Sequence, residues 1–204
     1  MRHLVLRTPR LELRPDDDAG LEELVAEAYA GIHPPDRMPF AVPWTDTDPR
    51  FLGRAIMQYH WSERAAFRPD SWRLNLLVRR HDRVIGMQEL SATEFRILRE
   101  VSTGSWLGMR HQGQGLGTEM RAAVLAFAFD HLGAVRARSG AFADNPASLR
   151  VSEKLGYRRD GTRTLVRRGK PADEVRLVLD AGDFVRPPWR LEVEGFDPEI
   201  FGAG

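Results

Sequence analysis

A chain that sets Gly113, Gly115 and Gly117 between an apolar extended run and an apolar helical run has few ways to fold at that join. Val101 to Leu107 reads as a strand, and Leu116, Met120, Val124, Phe127 and His131 then recur at helical spacing. The sequence therefore predicts a strand, a glycine turn and a helix N-terminus in succession. Lacking Cβ atoms, the glycines can take positive φ and let successive N–H groups approach a ligand closely. Those amides, with the helix dipole behind them, suit a diphosphate. Spacing excludes two other phosphate loops. A P-loop needs Gly-Lys-Ser/Thr, but Thr118 follows Gly117 directly; G-x-G-x-x-G counted from Gly113 would need its third glycine at Thr118. What stands is Gln112-x-x-Gly115-x-Gly117.

A second segment, Asp144-Asn145-Pro146-Ala147-Ser148, precedes Val151, Lys154 and Leu155-Gly156-Tyr157. Taken in order, Q/R-x-x-G-x-G/A and N-x-x-S…K-x-G-F/Y resemble the acyl-CoA loop and the following helix of the GNAT superfamily of N-acyltransferases. The likeness spans nearly the whole chain up to Phe184. Met38-Pro39-Phe40, Val42-Pro43-Trp44, residues 103–108 and residues 117–124 look closest to two neighbours: the branch that acylates ribosomal-protein N-termini, and a subgroup that accepts succinyl-CoA.

The resemblance implies an α/β GNAT fold, a central, mostly antiparallel mixed sheet with a splayed strand pair, flanked by helices. It implies an acyl-CoA-dependent N-acyltransferase with acetyl-CoA or succinyl-CoA as co-substrate and no metal. The acceptor would be a primary amine: a protein N-terminus, a lysine or a small amine. The implied cofactor-binding residues are Leu107, Gly108, Met109, Gln112, Gly113, Gln114, Gly115, Leu116, Gly117, Thr118, Asn145 and Ser148. A non-catalytic acyl-CoA-binding sensor is the alternative, because aligning Trp106-Leu107 puts Ser102 where many relatives carry a glutamate.

The reaction sets its own requirements. An amine attacks a thioester only when unprotonated, and an α-amine at ~8 or a lysine at ~10.4 is helped by a base. A departing thiolate is expelled more easily if a hydroxyl gives it a proton, and Ser148 occupies the family position for that acid. Glu89 and Glu100 are candidate bases acting through water. An acyl carboxylate would want a cation, for which Arg37 is a candidate, beside Phe40 in a proline-rich wall from Ile32 to Pro49.

Composition narrows the classes. Absence of cysteine excludes disulfides, thiolate metal sites and a cysteine nucleophile. A net charge of +1 creates no field to gather nucleic acid or an anionic membrane, and among the basic residues only Lys154 and Lys170 are lysine. With no long apolar run, the expectation is a soluble cytoplasmic protein. No G-x-S-x-G marks a hydrolase, and the histidines lack metal-ligand spacing.

The chain reads as strand Leu11–Arg14, a helix opened at 16–18 and ending near Gly31, and a helix from Arg50 to Ala66. Strands follow at Trp72–Val78, Val84–Leu90 and Glu100–Leu107, with Gly104 marking a bulge or close approach. After the loop and its helix come a strand at Val135–Ser139, a helix capped by Asn145, and a hairpin from Tyr157 to Leu179. Residues 1–184 are expected to form the acyltransferase domain. Residues 185–204 form a tail in which Leu191 to Glu194 offers an edge strand or an arm for a homodimer or higher homo-oligomer.

Overall fold

The computed structural model describes residues 3–203. Its centre is a nine-stranded sheet built from β1 (Val5–Arg7), β2 (Glu12–Pro15), β3 (Trp72–Arg80), β4 (Arg83–Ala92), β5 (Glu100–Leu107), β6 (Arg136–Phe142), β7 (Arg158–Arg167), β8 (Lys170–Asp180) and β9 (Glu192–Glu194). The spatial order is β7-β8-β6-β5-β4-β3-β2-β1-β9, and every neighbouring pair is antiparallel except β5–β6.

Alternation along the strands builds two cores. Leu77, Met87 and Trp106 face α1 (Asp18–Ala30) and α2 (Pro49–Ala66), meeting Leu21, Leu24, Leu52 and Ile56. Leu76, Val78, Leu90 and Val101 turn to the opposite face, where α4 (Leu116–Asp130) supplies Leu116, Met120, Val124 and Phe127. A one-turn α3 (Phe95–Leu98) links β4 to β5, and α5 (Pro146–Lys154) lies beside α4. The helix starts follow capping chemistry. Asp17 accepts from Gly20 N at 2.7 Å, Asp48 accepts from Arg50 N at 2.9 Å ahead of Pro49, and Asn145 Oδ1 accepts from Ser148 N at 3.2 Å ahead of Pro146.

The feature that positions the site is a fork. Strands β5 and β6 pair only over Glu100↔Arg136, Val101↔Ala137 and Ser102↔Arg138. Past that point Gly104 to Leu107 stay on β4, while Ser139 to Phe142 stay on β8. The sheet opens there into two arms, with α4 starting beyond the end of β5.

Several details depart from the sequence reading. A strand, Val5–Arg7, precedes the one expected at Leu11–Arg14, and α3 was not foreseen. Gly104 is no bulge: the β4–β5 register runs through it unbroken. Close backbone approach occurs instead at Gly86, where a Cβ would lie 2.3 Å from Trp106 O, opposite the register shift at Val78/Arg79. In the tail, by contrast, the extended stretch does form an edge strand: β9 pairs with β1 of its own chain, and Phe201, 1% exposed, packs edge-on to Trp72 and Phe127. Among the described residues no helix is long and apolar enough to cross a membrane, and no group of three His, Cys, Asp or Glu side chains could hold a metal ion.

Candidate active site

The segment from Gly108 to Thr118 divides into an anchored half and an open half. In the anchored half, Gly108 N donates to Ile85 O at 3.0 Å, Met109 N to Gly31 O at 2.9 Å, and Gln112 N to Met109 O at 3.3 Å. The Gln112 side-chain amide donates to Ile32 O and Leu107 O, both at 2.8 Å, so it fastens the loop to the end of α1. Gly108 must be glycine because a Cβ there would sit 1.7 Å from Glu27 Oε1. Glu27 is 2% exposed and accepts from Arg110 Nη2, with His111 Nε2 3.4 Å away. Burial holds the His111 imidazole below its usual range; Glu27 opposes that shift, while Arg110 and Arg80 reinforce it.

In the open half, the consecutive N–H groups of Gly113, Gln114, Gly115, Leu116, Gly117 and Thr118 have no acceptor among the described residues. Gly113 (φ +73°) and Gly115 (φ +78°) take left-handed conformations, while Gly117 does not and has room for a methyl group. Arginines surround this run. Arg10 Nη1 donates to Gln114 O at 3.0 Å, Arg80 Nη1 to Gln114 Oε1 at 2.9 Å, and Gln114 Nε2 to Arg110 O at 3.0 Å. Free amides at a helix N-terminus within a cationic rim fit a diphosphate ester.

At the fork, Ser148 stands in the first turn of α5. Its N–H is satisfied by Asn145 and its carbonyl accepts from Ser152 Oγ at 3.1 Å, while its hydroxyl makes no hydrogen bond within the described residues. Since the Asn145 oxygen is spent on the cap, its amide nitrogen is the group left to donate outward. On the opposite face of the sheet, the Glu89 carboxyl lies 3.7 Å from where a Gly104 Cβ would be. It accepts from Ser91 Oγ at 3.0 Å and has Arg73 Nε 3.4 Å away. Glu100 is instead held by Arg138 at 2.6 Å, at the closed end of the fork.

The proline-rich wall covers the α1–α2 face. Phe40 packs tilted against Trp44 (centroids 5.2 Å), and Trp44 against Trp106 of β5 (5.7 Å). Two arginines of the β7–β8 hairpin latch it. Arg168 makes a bidentate pair with Asp46 (2.6 and 2.7 Å) and donates to Pro35 O. Arg167 pairs with Asp144 (2.7 and 2.8 Å), donates to Met38 O and lies 4.2 Å over the Phe142 ring. The Arg167 guanidinium holds the Asp144 carboxyl below its usual range, with a minor contribution from the exposed Arg37. Phe40 is thus half-buried wall structure, and Arg37 is exposed on the Asp144 side of the wall.

Sequence reasoning missed Glu27, Arg10 and Glu119. The Glu119 carboxylate, in the first turn of α4, accepts from Thr8 Oγ1 (2.7 Å), Arg10 N (3.0 Å) and Arg10 Nε (2.6 Å). The available signal was an acidic residue in an otherwise apolar helix, since such a charge is buried only when paired.

Comparison with known proteins bears on the family and the fold. The family model described as "Acetyltransferase (GNAT) domain" matches residues 10–158. A probable N-acetyltransferase, YjcK of Bacillus subtilis (strain 168), is 34% identical over 80 residues, covering 39% of this chain and 44% of that protein, so the match spans less than half of that relative. Among solved structures, Mycobacterium smegmatis RimJ in complex with CoA-disulfide superposes with a TM-score of 0.72 at 19% identity, over 89% of this chain and 91% of that one. A spermidine N-acetyltransferase SpeG chimera from Vibrio cholerae and hSSAT gives 0.64 at 16%, over 85% and 96%. At such identities the structural likeness is one of fold, whereas the family model covers most of the sequence, and by it the chain belongs to the GNAT acetyltransferase family.

Proposed function

We propose that this protein transfers an acyl group from an acyl-coenzyme A thioester to a primary amine. The observation that carries the reading is the run of unengaged N–H groups from Gly113 to Thr118, opening α4 beside the fork. The thioester supplies an activated acyl carbonyl; the chain binds, orients and manages protons. The amides hold the diphosphate, and Asn145 Nδ2 steadies the arm that enters the fork. The C–N bond forms as the C–S bond breaks, and the electron pair leaves on sulfur. The surplus proton of the amine passes to that sulfur with the Ser148 hydroxyl as its donor, giving amide and thiol. Glu89 is the carboxylate placed beside Gly104 on the wall side to draw a proton from the incoming amine through water. Holding both reactants in the fork supplies much of the rate.

Acetyl-CoA is the donor favoured by the family, with succinyl-CoA the second candidate. The acceptor is a protein N-terminus, a lysine or a small amine entering under the wall at Phe40 and Arg37. Ser102, at the position where relatives carry glutamate, favours one rival: an acyl-CoA-binding module without turnover. Thiol release measured with acetyl-CoA and succinyl-CoA against N-terminal peptides, lysine peptides and polyamines decides between them. Release with one acceptor class is expected; tight CoA binding with no release on any acceptor establishes the rival.

A further inference from the structure

Arg121 is the one residue of α4 whose charge the fold leaves uncompensated in the interior. It is 5% exposed, yet no carboxylate among the described residues lies within ion-pair distance. Its neighbours are hydroxyls. Nη1 donates to Ser152 Oγ at 3.0 Å, Nη2 donates to Ser105 Oγ at 3.2 Å, and Nε is buried with no acceptor. A guanidinium taken out of water costs several kcal/mol unless something negative meets it. Elsewhere in this chain buried charge is met: Glu119 by Arg10, and Glu27 by Arg110.

The placement says what could meet it. Ser105 lies on the unpaired arm of β5, three residues past the last β5–β6 pair at Ser102, and Ser152 lies one turn beyond Ser148 on α5, donating to the Ser148 carbonyl. Arg121 therefore spans the two sides of the opening, one helical turn from Gly117 at the end of the amide run. Burial pushes the Arg121 guanidinium below its usual range, opposed by Tyr157, whose own hydroxyl is buried, 3.4 Å from Thr103 Oγ1, and pushed up by desolvation. On the elements packed against Arg121, β5 contributes Ser105 and α5 contributes Ser152, neither ionisable, and Glu89 of β4 lies across the sheet with Arg73.

We propose that the unneutralised guanidinium of Arg121 stabilises the thiolate set free at the fork by acyl transfer. The inference rests on the acyl-CoA reading and deepens it: Ser148 delivers the proton, and Arg121 lowers the cost of the sulfur anion before the proton arrives. The bond changes are those of the transfer itself, with the C–S pair moving to sulfur and no further reactant needed.

The test uses coenzyme A itself, with S-methyl-CoA as a reference that has no thiol to ionise. Thiolate absorbance of the protein–CoA complex is followed against pH for the wild type and Arg121→Met. A nearby opposite charge depresses an acid's pKa, and the acid dissociation constant of the bound thiol is expected to fall about tenfold in Arg121→Met relative to wild type. S-methyl-CoA should bind both proteins alike. Should Arg121→Met fail to fold, Ser105→Ala and Ser152→Ala carry the test, each keeping the charge and removing one tether, with smaller shifts in the same direction. A thiol that titrates identically in wild type and every folded variant, with CoA bound in all, overturns the role of Arg121 and leaves the acyl-CoA site standing. Failure of wild type to bind CoA at all sinks the site and this inference together.

Discussion

Replacing Gly108 with alanine tests the anchored half of the loop, because the added methyl has nowhere to go. Its carbon would lie 1.7 Å from Glu27 Oε1, 2.6 Å from Cδ and 2.9 Å from Cγ, against a side chain only 2% exposed. Either Glu27 leaves its place or the loop lifts from the end of α1. Overpacking of this kind costs about 1–3 kcal/mol. Loosening the Glu27–Arg110 pair adds roughly 0.2–1 kcal/mol, discounted because Arg110 is 61% exposed. A total of roughly 1–4 kcal/mol in a chain of this size lowers the melting temperature by roughly 3–15 °C. Because Met109 N and the Gln112 amide fasten the same stretch, CoA affinity should fall with stability. Calorimetry of Gly108→Ala, Glu27→Ala and the double variant isolates the cause. Removing the Glu27 carboxylate should relieve the clash, so the double variant loses less than the sum of the singles by about 1 kcal/mol. Additive losses, or an unchanged melting temperature for Gly108→Ala, would refute the packing argument.

Other outcomes follow from the open half and the wall. Gly115→Glu should retain the fold at a backbone cost of about 1–2 kcal/mol for a left-handed non-glycine residue and lose CoA binding in titration calorimetry, whereas Gly117→Ala should bind nearly as well as wild type. Ser148→Ala removes a hydroxyl with no internal partner, so stability should hold while kcat falls about tenfold to a hundredfold, at the low end for general acids because a thiolate near 8.5 is a tolerable leaving group. The wall latch should answer to acid. Hydrogen bonding from Arg168 lowers the Asp46 carboxyl below 3.8, and Arg167 does the same for Asp144. A depressed folded-state pKa gives stability that is complete above the unfolded value and lost as pH falls through the folded one. Hydrogen exchange across residues 34–46 should therefore be slow at pH 5 and accelerate only below 3.8; acceleration already at pH 5 would exclude these pairs as the latch.

How much was legible depended on how far a residue's role is written in its neighbours. The strand–glycine–helix join and the Asn145-Pro146 cap are local patterns, and both lie where spacing put them. Strands β1 and β9 have three residues each, too few for alternation to register, and they exist because each completes the other at the sheet edge. Gly86 and Gly104 look alike in a strand; only the partner strand decides which meets backbone. The charged residues behind the loop were the least accessible. With thirty Lys and Arg, no pattern singles out Arg10 or Arg110, whose importance comes from the buried carboxylates they meet across the chain.

Those carboxylates show how the site gains rigidity without touching a ligand. Glu119 binds the backbone and guanidinium of Arg10, which then reaches Gln114 O, so the β1–β2 turn braces the amide run from outside. Glu27 fills the space under Gly108 and takes Arg110, whose carbonyl receives the Gln114 amide, so α1 braces it from below. Arg121, two residues after Glu119, ties β5 to α5 across the opening. Helix α4 thus carries, within its first two turns, the last three of the free amides, one brace for the run and the tie across the fork. Donors held this way need no reordering when an anion arrives, which is the condition under which they stabilise charge most.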